Sequence, residues 1–284
     1  MISIIICSRT ETLSSDLVRN INHTIGSLYE LIVIDNSQNK YSIFEAYNVG
    51  INKSQGDYLC FIHDDIKFHT RGWGTVVESI FQSDKSIGLI GIAGAKVKTK
   101  MLSGWWDCPG QYRVINIIQH LGSGKTENWR IGWKDKDLEE VVAVDGVFMA
   151  IPKSDNVLFT EEFGGFHNYD LDISFKIKQN KRKIVVTNQI LLEHLSEGQV
   201  DGKWLESTLK VHNFYSKILP LSIDDKMNAD DFKNIDYDNF RKMIYLSYKY
   251  KRRSVALKIW LKFFLKNPTH NYHSTFWREF LKLR

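Results

Sequence analysis

Short apolar runs alternate with amphipathic stretches through the first third of the chain. Ile2 to Cys7 is almost wholly apolar and β-branched, the pattern of a strand buried on both faces. Leu17, Val18, Ile21 and Ile25 recur at helical spacing and predict a helix over 14–25, with Ser14 or Ser15 as its cap. Leu31 to Ile34 is a second buried strand, closed by the turn Asp35-Asn36-Ser37. A helix over 43–52 and the turn Gly56-Asp57 lead into a third strand, Tyr58 to His63, which ends in Asp64-Asp65. Ile66 to His69 is expected on the solvent side. A helix over 73–82 and a strand over 87–92 complete the series. Such alternation predicts βαβ units, hence an α/β fold with a mostly parallel sheet flanked by helices. Ligands bind such sheets beyond the C-terminal strand ends. Cys7-Ser8-Arg9, Asp35-Asn36 and His63-Asp64-Asp65 all fall there.

The pattern then loosens. Residues 96–140 are rich in glycine and tryptophan and are expected to form loops and short antiparallel strands. Residues 141–151 predict two short strands or one bent one, 161–168 a loop around Gly164-Gly165, and 170–179 an amphipathic helix. Strands over 184–187 and 190–192 close this part. Beyond Ser196 the spacing is helical over 203–217, 237–251 and 255–266, the last stopped by Asn267-Pro268. This divides the chain into an α/β domain over 1–200 and a helical extension over 201–284, whose last two predicted helices suit a hairpin. Gly122-Ser123-Gly124-Lys125-Thr126 imitates a phosphate-binding loop, but the required first glycine is Gln119, so a mobile loop is expected instead. No glycine fingerprint follows the first strand, which excludes a dinucleotide site there.

Composition narrows the class. Hydrophobic residues make up 43% and charged residues 25%, ordinary values for a soluble globular protein. No apolar run approaches the ~20 residues of a membrane span, and the start lacks a basic leader, so a cytoplasmic protein is expected. Three scattered cysteines exclude a disulfide framework. The net charge of +5 is uneven, because from Arg241 onward the only acidic residue is Glu279. Basic residues there interleave with Tyr245, Trp260, Phe263 and Phe264. The tail either touches an anionic membrane surface peripherally or packs its aromatics on the core or a second subunit. No nucleic-acid module is present, so no nucleic-acid partner is expected.

Carboxylate oxygens suit Mg²⁺ or Mn²⁺, so Asp64-Asp65 is a candidate cation site beside a diphosphate, or else an acidic turn. The ordered series Cys7-Ser8-Arg9, Val33-Ile34-Asp35-Asn36-Ser37, Gly56-Asp57-Tyr58, His63-Asp64-Asp65, Gly164-Gly165, Tyr169-Asp170-Leu171-Asp172 and Glu193-His194 resembles the family 2 glycosyltransferases. The likeness covers 1–200 and implies the A-type nucleotide-sugar fold. It further implies that Asp35 recognises the base, that Ser8, Arg9 and Asp64 lie against the nucleotide, and that Asp65 holds Mn²⁺ or Mg²⁺ with His194 completing the shell. His63 stands where the family's Asp-x-Asp motif has its first acid, either bonding ribose or simply packing. Asp170 matches the catalytic base, with Tyr169 in place of the usual Glu and Asp172 as the alternative base. Gly164 and Gly165 would let the acceptor loop approach the sugar. Trp105 and Trp106 form either an acceptor platform or a loop-covering cluster.

The implied activity is metal-dependent inverting transfer from a nucleoside-diphosphate sugar, UDP-linked by preference, to a glycan or lipid-linked acceptor. A nucleotide-sugar-binding module without transfer is the alternative. A nucleotidyltransferase would need a basic glycine-rich loop after the first strand, which is missing.

Overall fold

The computed structural model describes residues 1–282. Ile2, Ile4, Ile5 and Ile6 are fully buried in β1 (Ile2–Ser8), which forces cover on both sheet faces. That cover begins with α1 (Ser15–Thr24), whose cap Ser14 accepts the Asp16 N–H, and α2 (Ile43–Lys53), opened by a reciprocal Ser42–Glu45 capping box. Between and after them, β2 (Tyr29–Asp35) and β3 (Tyr58–Ile62) pair parallel with β1, placing Ile32 and Phe61 on either side of Ile5. Next come β4 (Ile66–Phe68), α3 (Trp73–Ser83), β5 (Ile87–Gly91), β6 (Ala93–Ala95) and β7 (Val97–Lys98). The middle of the chain supplies β8 (Arg113–His120), β9 (Thr126–Ile131), β10 (Leu138–Val141), β11 (Ala143–Val144) and β12 (Phe148–Pro152). Then follow α4 (Tyr169–Gln179), β13 (Lys183–Thr187) and β14 (Leu192–His194).

The main sheet has the order β10-β13-β5-β12-β3-β1-β2. β10 and β12 run against the other five strands. A second sheet, β11-β6-β8-β14-β4 with β9 beside β8, crosses the C-terminal end of the first through β4 and β14.

Two local expectations change. The segment after the acidic pair is not solvent-side: Ile66 and Phe68 are buried in β4, and Phe68 stacks on Trp73 at 4.2 Å. The Gly122–Lys125 stretch is the turn of the β8–β9 hairpin, closed by Leu121 N–H donating to Lys125 C=O at 2.8 Å.

Helices dominate thereafter: α5 (Gly202–Phe214), α6 (Ala229–Lys249), α7 (Arg253–Lys266) and α8 (Tyr272–Phe280), with β15 (Leu221–Ser222) pairing β7. α6 starts well before the predicted Tyr237, because an Asn228–Asp231 capping box nucleates it at a polar stretch without apolar periodicity. α6 and α7 pack together through Phe240 and Phe263, stacked at 4.0 Å. Their core also takes in Met101, Leu102 and Trp204, while Val211, Tyr215 and Leu219 belong to the core around the sheet. Among the described residues no helix is long and apolar enough to cross a membrane.

Candidate active site

The ends of β1, β3 and β14 meet at one edge. A cleft of about 430 Å³ there is lined by Ser8, Arg9, Asn36, Asp64 and Asp65. Behind a wall of His63, Tyr169 and His194 lies a second chamber of about 570 Å³, bounded by Trp105, Trp106, Asp145 and Asp170. A larger hollow of about 710 Å³ opens beside Tyr58 and Ile87, at the opposite ends of β3 and β5, away from these groups.

The wall gathers titratable side chains from distant parts of the chain. β14 pairs antiparallel with β4, and His194 sits opposite Ile66, which brings it beside Asp65. His63 Nδ1 lies 3.3 Å from His194 Nε2 and 3.9 Å from Asp65 Oδ1, and His194 Nε2 lies 3.5 Å from the same oxygen. Side-chain contacts orient both rings. Gln119 Nε2 donates to the carbonyls of His120 and Ser196, so its oxygen faces His194 Nδ1 at 3.1 Å and must accept. His194 therefore carries a proton on Nδ1; in the neutral ring Nε2 is bare and turned toward Asp65 and His63, as a cation ligand must be. His63 Nε2 contacts the Tyr169 hydroxyl at 2.6 Å. When it donates there, its Nδ1 also points a lone pair inward. Burial, then the neighbouring His194, lower the pKa of His63 and favour the neutral ring. Burial pushes the Asp65 carboxyl up, but donors beside it, His194 first and then Ser196, outweigh it and hold the group well below the carboxylate range when no cation is bound. Two imidazoles and one carboxylate, with ligand atoms within 4.8 Å of one another, could hold a divalent cation that accepts nitrogen as well as oxygen, a set that suits Mg²⁺ poorly.

Gly146 makes this wall possible. A Cβ there would lie 2.4 Å from the Tyr169 hydroxyl oxygen, so only glycine lets Tyr169 reach His63.

Arg9 is already engaged. Its backbone N–H donates to Asp64 at 2.8 Å, its guanidinium forks onto the same carboxylate, and Nη2 reaches Asp65 at 2.9 Å. Asp64 thus holds Arg9 across the cleft mouth. The Ser8 hydroxyl closes a local turn by donating to Thr10 C=O at 2.7 Å. Asp35 is exposed at the end of β2, where it accepts the Ser37 N–H at 2.9 Å in an Asx turn, while Asn36 and Ser37 line the cleft.

In the second chamber, Asp170 lies in the first turn of α4. The helix dipole alone would favour its charged form. Burial and then the facing Asp145 overcome that and push its pKa up to about 7. Asp145 closes the tight turn between β11 and β12, and its second oxygen accepts the Trp105 indole N–H at 2.8 Å. Trp106 stands edge-on to Trp105 at 5.8 Å and stacks on Trp204 at 5.9 Å. Both indoles line the chamber while also covering a core.

Asp172 is elsewhere. It is fully buried and accepts from Thr160 N–H at 2.7 Å, the Thr160 hydroxyl at 2.8 Å and the Tyr215 hydroxyl at 2.5 Å, so it faces neither chamber and pins α4 to α5. This corrects its expected role as an alternative base on the acceptor side; its one cationic neighbour among the described residues is Lys176, at 3.5 Å. The Asp172→Ala variant is expected to lose roughly 3–5 kcal/mol of stability, because buried donors are left unpaired. Urea unfolding measures it, and a loss below about 1 kcal/mol would contradict the structural role. Gly164 and Gly165 have φ of +62° and +72°, which L side chains rarely adopt; they turn the backbone into Phe166, which lines both chambers. Gln119 and Asp145 escaped the sequence reading. The only signal was an acid between two short apolar runs and a polar residue inside an apolar strand.

The model of the Glycosyltransferase like family matches residues 3–216. No curated protein matches the chain in sequence. Among solved structures, S. aureus TarS 1-349 in complex with UDP superposes with a TM-score of 0.51 at 10% identity, covering 89% of this chain and 74% of that one. The same TarS piece with UDP-GlcNAc gives 0.49 at 10% identity, over 91% and 88%. GalNAc-T7 with UDP, GalNAc and Mn²⁺ gives 0.49 at 13% identity, over 84% of this chain and 54% of that one, so the chain spans about half its length. The fold is the A-type glycosyltransferase fold. Since the matched span includes every strand end that builds the two chambers, the chain belongs to the Glycosyltransferase like family.

Proposed function

We propose that this glycosyltransferase is metal-dependent and inverting, and moves a sugar from a UDP-sugar to an acceptor hydroxyl. The observation that carries the reading is the wall between the chambers: His63, Asp65 and His194 converge on one side and Asp170 opens onto the other. The donor nucleotide occupies the cleft at the ends of β1 and β3, as supported by the fold shared with TarS, which was solved with UDP. His63, Asp65 and His194 would hold a divalent cation, which would supply positive charge against the departing diphosphate. Arg9, released from Asp64, offers a fork of donors to phosphate oxygens. Asp35 or its turn neighbours contact the base at the rim.

In the second chamber the acceptor lies against Trp105 and Trp106. Asp170 takes the proton of its hydroxyl while the oxygen attacks the anomeric carbon and the carbon–oxygen bond to diphosphate breaks. Attack from the side opposite the leaving group inverts the configuration. A pKa near 7 leaves Asp170 half ionised at neutral pH, which suits a base.

Incubation with UDP-sugars, Mn²⁺ and glycan acceptors tests this. The expected result is acceptor-dependent release of UDP, with a β-linked product from an α-linked donor by NMR. A retained anomer refutes inversion. UDP binding without turnover for any donor would instead make the chain a binding module.

A further inference from the structure

The outer face of α7 has the wrong chemistry for water. Leu257, Leu261 and Leu265 recur at i, i+4 and i+8 and are 40%, 48% and 73% exposed, while Val255, Ala256, Ile259 and Phe263 are buried on the inner face. A surface helix normally shows polar residues outward. Along one edge of the leucine stripe Trp260 stacks on Phe264 at 5.2 Å and meets Trp277 of α8 edge-on at 4.9 Å. Trp277 and Leu281, 38% and 69% exposed, extend the apolar surface onto α8. Along the other edge stand Lys258 and Lys262. Lys249, Lys251, Arg253, Lys258 and Lys262 pair with no acid among the described residues, and Glu279 is the only acid after Arg241.

We propose that α7 and α8 dock on an anionic phospholipid surface. The leucines and Trp277 enter the acyl boundary, and the unpaired lysines and arginines meet the headgroups. A second copy of this chain fits worse, because a two-fold contact sets identical patches face to face and would oppose unpaired cations. The docked helices reach the second chamber through their neighbours: α7 packs on α6, whose Lys242 pairs with Asp107 next to Trp106, and Trp204 of α5 stacks on Trp106. Membrane attachment would therefore hold that chamber at a fixed height. The docking itself does not depend on transfer activity.

Co-sedimentation with vesicles tests it, using phosphatidylcholine alone or with about one third phosphatidylglycerol. The full chain is expected to pellet only with anionic vesicles and to dissociate as salt rises. Combined Leu257→Ser, Leu261→Ser and Leu265→Ser should weaken binding about tenfold or more, since the apolar contact is lost. The exposed Lys258→Glu should weaken it at low salt. Both variants should melt as the wild type does, because these side chains lie outside the core. The inference is overturned if the wild type stays in the supernatant at low salt, or if the leucine variant pellets equally well. It is also overturned if that variant turns a dimer into a monomer in sedimentation velocity while vesicle binding is unchanged.

Discussion

Asp170→Asn is expected to slow transfer by about 10³-fold or more while the protein stays folded and becomes more stable above neutral pH. The amide keeps the size of the side chain and can still accept the Leu171 N–H, which Asp170 Oδ1 holds at 2.8 Å. It cannot take a proton. The stability change follows from linkage. Burial, then Asp145, raise the carboxyl to about 7 in the folded state, against roughly 3.9 in the unfolded chain. Between those values the folded state binds the extra proton, so this contribution to stability is present at low pH and is lost as pH rises through 7. The variant has no such titration. Its gain at pH 8 should be about 1–3 kcal/mol, less than the full shift because Asp170 keeps some contact with solvent. Near pH 4 the gain should vanish. Urea titrations at both pH values measure it, and the wild-type rate should rise with pH to a plateau above about 7. A near-normal rate for the variant would remove Asp170 from the chemistry. An equal stability gain at both pH values would contradict the buried carboxyl.

The alternating first third of the fold was legible because buried parallel strands and amphipathic helices write different periods. Ile2 to Cys7 and Leu17-Ile21-Ile25 leave little ambiguity. Strand direction writes no period. β12 is as apolar as its neighbours, and only its antiparallel register against Leu59 and Cys60 shows that it enters the sheet reversed. Periodicity also missed the polar start of α6, where capping rather than an apolar face sets the boundary.

The site divides in the same manner. Asp65, His194 and Asp170 could be placed at strand and helix ends from the sequence, and the fold brings all three to the two chambers. His63 looked like a departure from an acidic motif, but the fold turns it toward His194, 131 positions away. Asp172 carries the same residue type as Asp170, two positions on. Helical geometry turns it about 200° around α4, into a network of buried donors rather than the chamber. Residue type could not separate the two; the direction of the side chain does.

The second large effect concerns the wall. His63→Ala, Asp65→Ala and His194→Ala are each expected to weaken Mn²⁺ binding by more than about 100-fold, and to reduce transfer at least as much. Electron paramagnetic resonance reads the binding without any turnover, because free and bound Mn²⁺ give different signals. Gln119→Ala leaves all three ligands in place but removes the acceptor that fixes the His194 proton, along with two donors to the carbonyls of His120 and Ser196, so about 10–100-fold is expected. That graded loss separates a cation site from a packed cluster, in which Gln119 would change nothing but stability. Binding should also weaken as pH falls, since protonated imidazoles cannot ligate. The discriminating variant is His63→Asp. It replaces a nitrogen ligand with an oxygen and should shift preference from Mn²⁺ toward Mg²⁺. Unchanged Mn²⁺ affinity in Asp65→Ala would show that the two rings and the carboxylate meet for packing alone, since no site that depends on three ligands keeps its affinity after losing the charged one.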